Sequence, residues 1–176
     1  MSEEQYCCFW GHRRINESEN LKSAMCNIVS DLIENKGINT FLFGSRSQFN
    51  SLCYEIVSYL KELYPHIKRI YVRAEYANIN EDYRKYLLEK YEDTYYPEKI
   101  RNSGRAVYVE RNRYMIDRCS VCVVYYKNDY SPLMCKRGKT DMERNRFKSG
   151  TKIAYDYALK KGRIIINIAE NSLGVD

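Results

Sequence analysis

No Gly-x-Gly-x-x-Gly follows the first apolar segment of this chain and no P-loop signature occurs, which removes the ordinary dehydrogenase and ATPase readings. Only two histidines are present, His12 and His66. That leaves little for a His-based metal centre or a catalytic triad, and His66, beside Pro65, reads as a structural loop residue. No run of about 18 apolar residues exists to span a bilayer, so no membrane partner is expected. The start, Met1 to Gln5, is acidic and polar where a secretory leader needs a basic start and an apolar stretch. No repeat, low-complexity tract or Pro/Gly/Ser-rich linker divides the 176 residues, and a single domain over 1–176 is expected.

What is present fits a cytoplasmic α/β protein. Seven cysteines are an odd number, several lie in apolar segments, and a chain of this size needs no disulfide staples. Cys119-Ser120-Val121-Cys122 lacks a second Cys or His pair and runs into an apolar segment, so it reads as buried strand thiols and not as a metal site. The net charge of +6 favours anionic partners. Its one concentrated patch runs from Lys136 to Lys152.

Apolar runs bounded by turn residues alternate with helical periodicity. This predicts a Rossmann-like, doubly wound sheet of about five mainly parallel strands with helices on both faces. The expected strands are Tyr6–Trp10, Thr40–Phe43, Arg69–Val72, Val121–Tyr125 and Arg163–Asn167. Leu21, Met25, Ile28, Leu32 and Phe49, Leu52, Ile56, Leu60 mark two amphipathic helices, and later helices are expected near 105–117 and 151–161. A Tyr- and Glu-rich stretch at about 75–103 has no strand signal and reads as a part-helical cover. A second loop, 127–148, is too long and polar for an ordinary connection.

Open α/β sheets bind ligands at the carboxyl ends of their strands, and four polar signatures fall there or nearby. They are Gly11-His12-Arg13, Gly44-Ser45-Arg46-Ser47, Glu110-Arg111-Asn112 on the helix before the fourth strand, and Ser149-Gly150-Thr151 before the last helix. Glycine after a strand lets backbone N–H groups approach an anion, and an exposed helix start adds unpaired N–H groups and a positive dipole end. Singly, each glycine reads as a turn and Ser47 and Ser149 as helix caps. Recurrence beside Arg13 and Arg46 favours a site, because turn chemistry does not require the arginines. His12 reads equally as a ligand donor and as a satisfied structural histidine.

Cys8-Phe9-Trp10-Gly11-His12-Arg13, Phe43-Gly44-Ser45, Val109-Glu110-Arg111-Asn112-Arg113-Tyr114-Met115 and Ser149-Gly150-Thr151-Lys152-Ile153-Ala154 together resemble the SLOG superfamily, over about Cys7 to Ile168. The resemblance is closest to its bacterial members with a Gly-His-Arg start. That superfamily includes phosphoribohydrolases once misnamed lysine decarboxylases, a competence DNA-processing protein, and sensors of ADP-ribose-related signals. The resemblance implies a nucleotide or nucleic-acid ligand and a homo-oligomer. In the hydrolases an arginine before the fourth strand and a glutamate after Gly-Thr flank the glycosidic bond. Arg111 matches the arginine, but the glutamate position is Ala154.

An alanine cannot support charge developing at the ribose or position water. The first expectation is therefore a domain that senses or sequesters a phosphate-containing nucleotide derivative, with no metal and no other cofactor. N-glycosidase activity is the alternative, with Glu110 or Asp156 as a displaced carboxylate. DNA binding through the Lys136–Lys152 stretch is the third, and that stretch holds only Phe147 for base stacking.

Overall fold

The computed structural model describes residues 3–130 and 149–171. Six strands form one sheet: β1 Tyr6–Gly11, β2 Thr40–Phe43, β3 Lys68–Val72, β4 Asp93–Tyr95, β5 Val121–Tyr125 and β6 Ile164–Asn167. Their order is β4-β3-β2-β1-β5-β6, and every neighbouring pair is parallel. Between them run α1 Glu19–Glu34, α2 Gln48–Leu63, α3 Glu81–Leu88, α4 Val107–Arg118 and α5 Gly150–Lys160. The short α6, Ile168–Asn171, follows β6. The protein has a Rossmann-like α/β fold with the expected doubly wound parallel sheet.

Strand alternation sorts the core into two layers. Cys7, Phe9, Phe41, Phe43, Val121 and Val123 face α1 and α2, whereas Cys8, Trp10, Leu42, Cys122 and Val124 face α4 and α5. The two central strands are apolar on both faces because both are covered by helices. Each fully buried leucine or phenylalanine removed from water contributes roughly 2 kcal/mol. Helix starts are set by side-chain caps: Ser18 Oγ accepts from Leu21 N, and Ser47 Oγ from Asn50 N, each at 3.1 Å. Gly37 and Gly162, at φ 67° and 64°, turn the chain after α1 and α5 in the left-handed region.

The five expected strands are all present, and among the described residues β4 adds a sixth within the 75–103 stretch, which carries no strand signal. Its three residues, Asp93-Thr94-Tyr95, pair only with β3, through Ile70↔Asp93, Tyr71↔Thr94 and Val72↔Tyr95. A short, part-exposed edge strand carries no apolar run, so it has no signal for periodicity to detect. Polar contacts hold it instead. Glu92 Oε2 accepts from the Arg69 backbone N–H at 2.6 Å, its other oxygen accepts from Arg69 Nη2 at 2.7 Å, and Thr94 Oγ1 donates to Tyr71 O at 2.9 Å.

Cys7, Cys8, Cys53, Cys119 and Cys122 are buried free thiols. Burial pushes the Cys7, Cys8 and Cys53 thiols well above their usual range, which removes the nucleophilic thiolate. Among the described residues no helix is long and apolar enough to cross a membrane.

Candidate functional site

Strand order reverses between β1 and β5, and the four junctions from β3 across to β6 along the carboxyl edge are each closed by a polar side chain. Asn167 spans β6 and β5, accepting from Tyr126 N at 3.1 Å and donating to Tyr126 O at 2.9 Å. Asn50, on α2, donates to Phe9 O at 3.1 Å and accepts from Gly44 N at 3.4 Å, joining β1 to the loop after β2. Arg111 joins the ends of β2 and β3, and His12 those of β1 and β5. Motif reading missed Asn50 and Asn167. Their role depends on contacts 41 residues away in sequence.

His12 is 1% exposed. Its Nε2 accepts from the Lys127 backbone N–H at 2.8 Å; Lys127 O lies farther off, at 3.2 Å, and one ring nitrogen cannot serve both. The neutral ring then carries its proton on Nδ1, a buried nitrogen with no partner among the described residues. Tyr130 stacks on the ring at 3.8 Å. Burial pushes the pKa down from 6.5 to about 4. As pH falls from about 6.5 to about 4 the unfolded chain takes up the proton and the folded chain does not, so stability declines. His12→Gln should reduce that decline by about 1–2 kcal/mol after allowance for screening. Urea midpoints of both proteins at pH 7 and pH 4.5 measure it, and equal declines would reject the assignment.

Arg111, on α4, is 3% exposed. Its Nη1 donates to Gly44 O and, at 3.3 Å, to Val72 O, and its Nε donates to Asn112 Oδ1 at 2.9 Å. Among the described residues no carboxylate forms an ion pair with it. Glu75, which acts on it at longer range, is paired with Arg46 at 2.9 Å. Burial lowers the Arg111 pKa to about 10, marking a guanidinium whose charge is poorly compensated. Gly44 permits this seat: a Cβ there would lie 2.7 Å from Arg111 Nη1, 2.8 Å from Cζ and 2.9 Å from Cδ.

The loops after β1 and β2 meet, since Gln48 N donates to Arg13 O at 2.9 Å. Ser45 Oγ accepts from Ser47 N at 3.1 Å, and Ser47 caps α2. Arg13 and Arg46 are exposed. Gly11 packs against a ring, as a Cβ would lie 2.6 Å from Phe49 Cδ1. At α5, Ser149 Oγ caps Lys152 N at 3.1 Å, and Thr151 follows in the first turn. Gly150 has nothing within 4 Å of where a Cβ would stand. Among the described residues no hydrogen bond or ion pair joins Ser149, Gly150 or Thr151 to Arg111. The first turns of α2 and α5 contain no acidic residue, so their positive dipole ends are not offset by a local carboxylate.

The carboxylates have other partners. Glu110 pairs with Arg113 at 2.7 Å and Asp156 with Lys152 at 2.5 Å. Ala154, 1% exposed, belongs to the core layer that contains Trp10 and Ala158. The basic stretch lies outside the described residues apart from Lys152. Among the described residues no group of three His, Cys, Asp or Glu side chains is placed to hold a metal ion.

No family model and no curated protein matches the chain. Among solved structures, S. aureus TarJ in complex with NADPH is similar over 88% of this chain, at 14% identity and a TM-score of 0.40. The chain spans 46% of that protein's length.

Proposed function

We propose that the carboxyl edge of the sheet holds a phosphate-containing nucleotide derivative, which the protein senses or sequesters. The observation that carries this reading is Arg111: a 3% exposed guanidinium, held by backbone carbonyls at two strand ends, with no carboxylate partner among the described residues. A cation in that position gains most from an incoming anion, and the start of α2 beside Gly44, whose first turn holds no acidic residue, favours the same charge. The resemblance of the strand-end motifs to the SLOG superfamily supports a nucleotide ligand and a homo-oligomer. Holding is favoured over hydrolysis because Ala154 supplies no carboxylate and both Glu110 and Asp156 are paired with cations.

Calorimetric titration with AMP, ADP, ADP-ribose and a cyclic dinucleotide tests the reading. Binding of at least one, weakened by salt, is expected, and silence across the panel overturns it. Gly150→Ala supplies a finer check. The site has room for the methyl group, and alanine is favoured over glycine in a helix by up to about 1 kcal/mol. Stability should therefore hold or rise, while affinity falls several-fold if ligand approaches the backbone there. Unchanged affinity would remove Gly150 from the site.

A further inference from the structure

A concavity lies one strand outward from Arg111, where β3 and β4 end. It encloses about 420 Å³ and is lined by Arg73, Arg84 and Arg101, by Tyr95 and Tyr96, and by one acidic residue, Glu81, among others. Three arginines and a single acidic residue therefore line a cleft of the size that small-molecule ligands occupy.

The arginines are not consumed by ion pairs across the cleft. Arg73 Nη1 donates to backbone carbonyls, Tyr76 O at 2.7 Å and Ala77 O at 3.3 Å. Its buried Nε has no hydrogen-bond partner among the described residues. Burial and the neighbouring Arg84 charge both lower the Arg73 pKa. Arg84 has no ion-pair partner among the described residues. Arg101 pairs only with Glu98, three residues earlier on the same turn, and that pair is half or more exposed. Such pairs contribute little and exchange readily. Like charges gathered around a cavity repel one another, and an anion bridging them reverses the sign of that interaction.

We propose that this cleft is a binding site for the phosphoryl group of a small molecule, separate from the strand-end site at Arg111. Planar guanidinium forks match phosphate oxygens two at a time. The first turn of α3 contributes nothing to this affinity, because Glu81 and Asp82 occupy it.

Calorimetric titration of the full chain with inorganic phosphate, pyrophosphate and ADP tests the proposal. Arg84 and Arg101 are exposed, so the Arg84→Ala/Arg101→Ala double variant should keep the wild-type melting temperature. Pyrophosphate should bind the wild-type protein, weaken with added salt, and lose at least tenfold in affinity in the double variant. It should bind Arg111→Met as it binds wild type. Tighter binding of ADP than of pyrophosphate identifies an organic phosphate as the occupant, and equal binding identifies the free anion. No pyrophosphate binding by wild type, or equal binding by wild type and the double variant, overturns the proposal. If Arg111→Met alone abolishes binding, the anion belongs to the strand-end site. If the double variant alone does so and no nucleotide binds elsewhere, the cleft stands and the strand-end reading fails.

Discussion

Arg111→Met should weaken nucleotide binding at the strand-end site by about 100-fold or more, while lowering the melting temperature by no more than about 10 °C. The binding loss follows from removing a buried, charge-assisted donor pair, for which about 2.7 kcal/mol is a modest figure. The stability result follows from opposing effects of similar size. The lowered Arg111 pKa corresponds to a cost of roughly 3 kcal/mol for keeping the guanidinium charged in the folded protein at neutral pH. Methionine removes that cost and fills much of the same space. Against this, Gly44 O and Val72 O lose their donor, at about 1–3 kcal/mol each. The net, from about 1 kcal/mol of gain to about 3 kcal/mol of loss, moves the midpoint by about 2–4 °C per kcal/mol in a domain of this size. A saturating nucleotide should raise the wild-type midpoint by more than that of Arg111→Met. A variant that melts far below wild type yet binds normally would make Arg111 a structural residue.

Gly44→Ala should have the opposite profile, costing stability because of Arg111. All three nearest atoms to the added Cβ belong to that side chain, at 2.7, 2.8 and 2.9 Å. The guanidinium cannot swing aside cheaply, because it is buried and bonded to the carbonyl of Gly44 itself. Overpacking of this kind costs about 2–3 kcal/mol, or roughly 5–10 °C in melting temperature. Backbone strain adds nothing, as Gly44 is not among the glycines with positive φ. Nucleotide affinity should fall with the displaced arginine. The cause is isolated by a double-mutant cycle: in the Arg111→Met background, whose side chain adapts, the same alanine should cost less than about 1 kcal/mol. Equal costs in both backgrounds would show that something other than Arg111 fills the space above Gly44.

These two residues show what could be read before folding and what could not. Gly44 stands out in the sequence because a glycine ends an apolar strand. Its physical reason, a guanidinium 67 residues later lying against its Cα, is a tertiary contact. Gly11 has the same local signature, yet its missing Cβ makes room for the Phe49 ring. Ser47 and Ser149 look alike in sequence and in structure, since capping is a local interaction within three residues. Glu110 and Asp156 also have local partners, Arg113 at i+3 and Lys152 at i−4, and helix spacing alone allows such pairs.

The core strands and the amphipathic helices were determined by the sequence itself, because period-two and period-3.6 patterns are properties of consecutive residues. So was the placement of polar loops after β1 and β2. Only the tertiary structure decided that Asp93–Tyr95 completes the sheet, that Asn50 and Asn167 tie strand ends, and that Arg73, Arg84 and Arg101 share one cleft. It also decided which arginine is buried without a counter-ion among the described residues. Charge compensation depends on every group that packs around the site, and those groups come from strands and helices far apart along the chain.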